Sequence, residues 1–101
     1  MLSKPKHFIL DVDGVMTTGQ FFYNNTGKIY KVFGPDDHDA LKLLKNEINI
    51  QFITADKIGF PISEKRICKD MNFTLDLISS KERPNWISKN FNVNEVIYMG
   101  D

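Results

Sequence analysis

The chain has 101 residues, 42% of them apolar, enough for one small α/β domain with a real core and too few for two. Lysine plus arginine (13) equals aspartate plus glutamate (13), so the formal charge is zero, and neither nucleic acid nor a membrane is the expected partner. The one cysteine, Cys68, excludes an intrachain disulfide and suits a reducing, cytoplasmic setting; no signal peptide is expected, and no apolar run approaches the ~20 residues of a membrane span.

In chain order, Lys6 to Asp13 reads as a strand, apolar at positions 8 to 10 and then ending in Asp11-Val12-Asp13-Gly14. Residues 19 to 33, GQFFYNNTGKIYKVF, read as a β-hairpin with aromatic and β-branched arms around an Asn24-Asn25-Thr26-Gly27 turn. Asp36 to Glu47 reads as a helix, acidic at its start and striped by Ala40, Leu41, Leu43 and Leu44. Residues 48 to 56 form a second buried strand ending in Thr54-Ala55-Asp56, Ile62 to Met71 a helix after Pro61, and Phe73 to Ile78 a third strand. The next helix has two competing starts. Ser79 with Glu82 forms a capping-box pattern, but Pro84 would then fall inside the helix. A start at Pro84 avoids that conflict and leaves Arg83 outside helical geometry, so a short helix from Pro84 to about Phe91 is expected. Val96 to Asp101 is a last apolar strand, VIYMGD.

Strands alternating with helices imply a Rossmann-like α/β fold: a parallel sheet with flanking helices, and here a hairpin inserted after the first strand. Ligands gather at the carboxyl ends of such strands. At those ends this chain carries Asp11 and Asp13, Thr54 to Asp56, and Gly100-Asp101. Residues two apart on an extended chain point the same way, so Asp11 and Asp13 project together while Val12 turns to the core. Two carboxylates that close repel unless a cation lies between them, and hard oxygen donors suit Mg²⁺ with a substrate phosphate. An aspartate can also attack phosphorus while its neighbour moves the proton. Gly14 would bring backbone N–H groups near an anion, and Thr54 could add a hydroxyl donor. The bland alternative is an acidic turn at a strand end, since Asp and Gly favour turns. Finding Asp11, Asp13, Gly14 and Thr17 together by chance would occur in roughly one chain per thousand of this length. A calcium loop fails on spacing, lacking a third acidic or amide position before its glycine.

DVDGVMT at 11 to 17 resembles motif one of the haloacid dehalogenase superfamily, in the DxDGxxT form of its phosphatases. FITAD at 52 to 56 resembles motif two, and YMGD at 98 to 101 the opening of motif four. Within that superfamily the chain is similar to the small capless phosphatases of sugar-acid phosphates, such as the 3-deoxy-D-manno-octulosonate 8-phosphate and nonulosonate 9-phosphate phosphatases. There motif one is followed by a hairpin and a K-V-F segment, here Lys31-Val32-Phe33.

The resemblance implies a Mg²⁺-dependent phosphomonoesterase working through an aspartyl-phosphate on a small sugar or sugar-acid phosphate. Asp11 would be nucleophile and metal ligand, and Asp13 general acid/base, with its carbonyl on the metal. Gly14, Thr54 and Ala55 would hold the phosphoryl group, and Asp101 would be a further metal ligand. Lys81 would be the basic residue of motif three, with Arg83 as its rival. The hairpin would close a neighbouring subunit's site in a homotetramer; the alternative is that it folds back on its own domain. Where the relatives carry Arg-Asp-Gly after K-V-F, this chain has Asp36-Asp37-His38, which changes how a substrate carboxylate would be held. His38 is open between a substrate contact and an ordinary surface residue. The resemblance also implies that residues 1–101 are an incomplete domain, since the family core continues beyond motif four. A catalytically incomplete fragment that only binds metal or phosphate, or only oligomerises, is the alternative.

Overall fold

Three apolar residues running into an aspartate make β1 (His7–Asp11), the strand around which a computed structural model of the chain is organised. The structure describes residues 4–34 and 36–100, the side chains of Lys28, Ile29, Asp36 and Asp37 excepted. The expected metal ligand Asp101 therefore lies outside the described residues, as do the side chains on which the Asp36-Asp37 contrast rests.

Ile9 and Leu10 are both buried although they point to opposite faces, as a strand covered on both sides requires. β1 pairs in parallel with β4 (Asn49–Thr54) on one side, Asp11 opposite Ile53, and with β6 (Val96–Met99) on the other. β5 (Thr74–Leu77) adds beyond β4, giving the order β5-β4-β1-β6. The chain moves outward from β1 through β4 to β5 and then returns to the far side of β1. That reversal makes the carboxyl ends beside β1 the place where a crevice opens.

Leu10, Val12, Ile50 and Phe52 share a core with Leu41 from helix α1 (Asp36–Leu44) and with Ile67 and Met71. The second helix starts at Phe60, two residues earlier than its apolar pattern implied. Pro61 sits in its first turn, where a missing N–H is no loss. After α2 (Phe60–Glu64) the chain widens into a π-helical stretch over Lys65–Asp70, in which Met71 N–H reaches back to the Arg66 carbonyl. Asn72 then ends the segment in the left-handed region, φ 61°.

The expected rivalry before the last helix is resolved by using both signals. Glu82 N–H donates to Ser79 Oγ at 3.3 Å and Ser79 Oγ donates to Glu82 Oε1 at 2.7 Å, closing a turn. Helix α3 (Arg83–Asn90) begins immediately after it, with Pro84 in its first turn, so Arg83 is helical rather than extended.

The hairpin forms its own two-stranded sheet, β2 (Thr17–Asn24) against β3 (Gly27–Phe33), with Phe21 opposite Lys31 and Phe22 opposite Tyr30. Phe33 packs on the core, whereas Phe22, Tyr23 and Tyr30 are each more than half exposed. Among the described residues no helix is long and apolar enough to cross a membrane.

Candidate active site

The tip of β1 is shaped by Thr17. Its hydroxyl accepts from the N–H groups of Gly14 and Gly19, both at 3.1 Å, and so ties the turn to the start of the hairpin. Both glycines have positive φ, 84° and 82°, which a side chain would strain. Within this turn Val12 is fully buried in the core while Asp11 and Asp13 face a cleft of about 560 Å³. Phe21 of the hairpin, Ala55, Asp56 and Ser80 also line it, as does Arg83.

The two carboxylates receive different partners. Arg83 Nη1 donates to Asp11 Oδ2 at 2.9 Å, its Nη2 reaches Asp11 Oδ1 at 3.5 Å, and Nη1 also donates to Tyr98 Oη at 3.0 Å. Burial works against the guanidinium's charge, but the hydrogen bond and charge of Asp11, with help from Tyr98, leave the Arg83 pKa above the ordinary arginine value. Arg83 is thus a permanent cation at Asp11.

Asp13 is held from the other side. Its Oδ1 lies 2.8 Å from Lys31 Nζ, and its Oδ2 accepts from Thr54 Oγ1 at 3.0 Å. Lys31 Nζ also lies 3.0 Å from Asp56 Oδ2 and donates to Ser63 Oγ at 2.8 Å, and its side chain is entirely enclosed. Thr54 in turn accepts from Asp56 N–H at 3.1 Å, which bends the chain away at the end of β4. The loop is closed by Gly59 N–H, which donates to Asp56 Oδ1 at 3.0 Å.

The structure thus brings together Asp11, Asp13, Thr54 and Ala55, with Gly14 in the adjoining turn. Gly14's own N–H is engaged by Thr17 rather than directed into the cleft. Of the two candidates for the basic residue of motif three, Arg83 stands on Asp11, while Lys81 is exposed and outside the cleft lining. His38 lies in α1, partly exposed. Sequence reading had no role for Asp56, Ser63 or Tyr98, and noticed Lys31 only as part of K-V-F. No local pattern marks its head as turning inward; the fold does, by setting it opposite Phe21 and two residues before the core-packed Phe33.

Among the described residues no three His, Cys, Asp or Glu side chains converge as a metal cage. Magnesium needs no such cage, being held through one or two carboxylates with water and substrate oxygens completing the shell. Asp11, an oxygen donor on the cleft, fits that requirement.

A comparison with protein-family models finds no match, and neither does one with the curated proteins. Solved structures do match. The cobalt-bound deoxy-D-mannose-octulosonate 8-phosphate phosphatase of Haemophilus influenzae superposes with a TM-score of 0.79 at 27% identity, over 97% of this chain and 59% of that one. The Moraxella catarrhalis 3-deoxy-D-manno-octulosonate 8-phosphate phosphatase, in complex with magnesium, phosphate and KDO, gives 0.69 at 24%, over 96% and 57%. The Yersinia pestis enzyme of the same name gives 0.65 at 23%, over 96% and 54%, and these two likenesses speak to the fold. The chain therefore spans a little over half the length of the structures it matches. The parallel sheet with its added hairpin and the likeness to the Haemophilus influenzae structure together show a haloacid dehalogenase-like fold core, similar to that of an octulosonate 8-phosphate phosphatase.

Proposed function

We propose that this core serves a Mg²⁺-dependent phosphomonoesterase that hydrolyses a small sugar or sugar-acid phosphate through an aspartyl-phosphate on Asp11. One observation carries the reading. Two carboxylates two residues apart stand at the floor of one cleft but are held by different cations, Asp11 by Arg83 and Asp13 by Lys31. The two side chains are thereby held separately by separate partners, an arrangement that suits one as nucleophile and the other as proton carrier.

An oxygen of Asp11 attacks phosphorus, the bond from phosphorus to the sugar oxygen breaks, and Asp13 gives that oxygen its proton. Water then attacks the aspartyl-phosphate, Asp13 takes the water's proton, and Asp11 is released with inorganic phosphate. Arg83 aligns the Asp11 carboxylate and offsets charge at the phosphoryl oxygens. Thr54, by turning its hydroxyl from Asp13 to the substrate, and the backbone at Ala55 complete the cradle. Lys81, exposed at the turn, is the weaker candidate for the cationic role. Asp11 and the Asp13 carbonyl, with Asp101 as the resemblance implies, would hold Mg²⁺, which would supply charge neutralisation for phosphoryl transfer.

The exposed face of the hairpin supports self-association. Phe22 and Tyr30 pair edge to face at 6.0 Å with both rings more than half in solvent. A two-stranded sheet with such a face is stabilised by covering it, so a homo-oligomer, a tetramer by analogy with the family branch, is the proposed state. A reducing, cytoplasmic compartment suits the free Cys68.

The test is phosphate release from a panel of sugar phosphates, with and without Mg²⁺, beside Asp11→Asn. Metal-dependent release that vanishes in the variant supports the reading. A folded chain that binds Mg²⁺ or phosphate but releases none from any ester overturns it and leaves a binding or oligomerising module.

A further inference from the structure

We infer that Lys31 is a positioning residue of this site: it sets the stance of the Asp13 carboxylate and, through the same contacts, docks the hairpin wall that carries Phe21. The inference rests on the phosphomonoesterase reading for its catalytic half and on geometry alone for the rest.

An ammonium enclosed in protein is tolerated only where acceptors replace its water. Lys31 Nζ has three within 3.0 Å: Asp13 Oδ1, Asp56 Oδ2 and Ser63 Oγ, with none of its side chain exposed. These come from three segments: the turn after β1, the loop after β4 and helix α2. Lys31 itself is on β3. One atom therefore ties the hairpin to both strand ends that build the cleft. One hydrogen bond to a hydroxyl and two ion-pair contacts, from three segments of chain, fix the position of a buried ammonium as well as neutralising its charge. Asp13 is completed by Thr54 on its other oxygen, so its carboxylate is held at both ends.

The neighbourhood is arranged around this cation. Phe21, opposite Lys31 in the hairpin, places its ring centroid 5.8 Å from Nζ and lines the cleft. Gly59 leaves the space the network occupies. A methyl group there would meet the Asp56 carboxylate and come within 2.8 Å of Lys31 Cε. Gly59 has φ −86°, an ordinary value for any residue, so its role is room and not conformation.

The test compares two esters. A sugar phosphate has a poor leaving group that needs the proton from Asp13; p-nitrophenyl phosphate leaves well without it. Measured in the first turnover, before Asp13 is needed again as base, Lys31→Met should slow release of the sugar by about 100-fold but of p-nitrophenol by less than about tenfold, with substrate affinity within about threefold on both. Equal losses on the two esters would mean a structural role and overturn the catalytic half. Ser63→Ala and Gly59→Ala disturb the surroundings of Nζ while leaving the lysine, and should show the same leaving-group dependence in weaker form if Lys31→Met does not fold.

A second arm needs no turnover. Thermal unfolding of Lys31→Met, Asp13→Asn and the double variant should be non-additive, and amide exchange over residues 17–33 should quicken in Lys31→Met. Additive shifts with unchanged exchange would overturn the geometric half. If the wild-type chain hydrolyses neither ester, the phosphatase reading falls and takes the catalytic half with it, while this second arm still decides whether Lys31 places Asp13.

Discussion

Arg83 Nη1 lies 2.9 Å from Asp11 Oδ2, a contact that joins the first turn of α3 to the end of β1 across 72 residues of chain. The guanidinium is mostly buried and also donates to the Tyr98 hydroxyl oxygen of β6, so three segments meet at the carboxylate proposed to attack phosphorus. Replacing Arg83 by Met should lower kcat/KM for phosphate release by about 10²–10³-fold, the scale of losing one preorganised charge at a reacting oxyanion. Arg83→Lys should recover only part, because a point charge cannot reproduce the fork on Asp11. Lys81→Ala should stay within about twofold of wild type. A large loss at Lys81 with little at Arg83 would reverse the assignment.

Asp11→Asn separates chemistry from folding. The amide cannot attack phosphorus, so turnover should disappear. Its cost to the fold should be about 1–3 kcal/mol in urea titration, because Arg83 keeps one acceptor but loses its counter-charge. A variant that is as active as wild type would remove Asp11 from the nucleophile's role.

The elements that sequence reading places correctly are those whose pattern is local. β1 is legible because apolar residues run into aspartate, and the hairpin because its turn carries its own chemistry. Asn24 Oδ1 accepts from Thr26 N–H at 2.8 Å, and Gly27 has φ 126°. Boundaries drift where side chains end an element: β4 stops at Thr54, not Asp56, because the Thr54 hydroxyl captures Asp56 N–H. Lys81 is the expected basic residue with Arg83 as rival, and the meeting of Arg83 with Asp11 across 72 residues of chain is a non-local contact that no local pattern announces. Lys31 was least legible. A lysine in a hairpin arm reads as solvated, and only the approach of β3 to Asp13, Asp56 and Ser63 encloses it.

Thr54 is poised between two duties. It is fully buried, donates to Asp13 and accepts from Asp56 N–H. Thr54→Val keeps shape but strips both bonds, and should cost about 1–3 kcal/mol of stability together with most of the activity. Thr54→Ser keeps the hydroxyl and should retain activity within about tenfold. If Val and Ser behave alike in both assays, the hydroxyl has neither duty.

The hairpin's outer face makes a prediction about mass. Phe22 and Tyr30 form one exposed cross-strand pair, so Phe22→Lys with Tyr30→Glu replaces apolar surface by a pair that is content in water. The wild-type chain should be oligomeric in light scattering and the double variant should shift towards monomer without losing its circular dichroism. A monomeric wild type, or an unchanged mass in the variant, would show that this face is not the contact.

Cys68 offers a pH-dependent readout away from the cleft. Burial raises its pKa above the ordinary thiol value, the negative charges of Glu64 and Asp76 add to that, and Lys69 and a backbone hydrogen bond from Leu75 only partly oppose them. The folded thiol thus holds its proton more tightly than the unfolded one. Its contribution to stability is complete below the ordinary thiol pKa and is lost as pH rises through the raised value. Alkylation by iodoacetamide near pH 8 should run several-fold slower than for an unhindered cysteine, since the thiolate is the nucleophile. The rate should keep rising with pH beyond the point where a free thiol levels off. Heating the protein through its unfolding transition should bring the rate to that of the free thiol. A native rate already equal to the free thiol's, with the same pH midpoint, would mean that the environment of Cys68 exerts no such control.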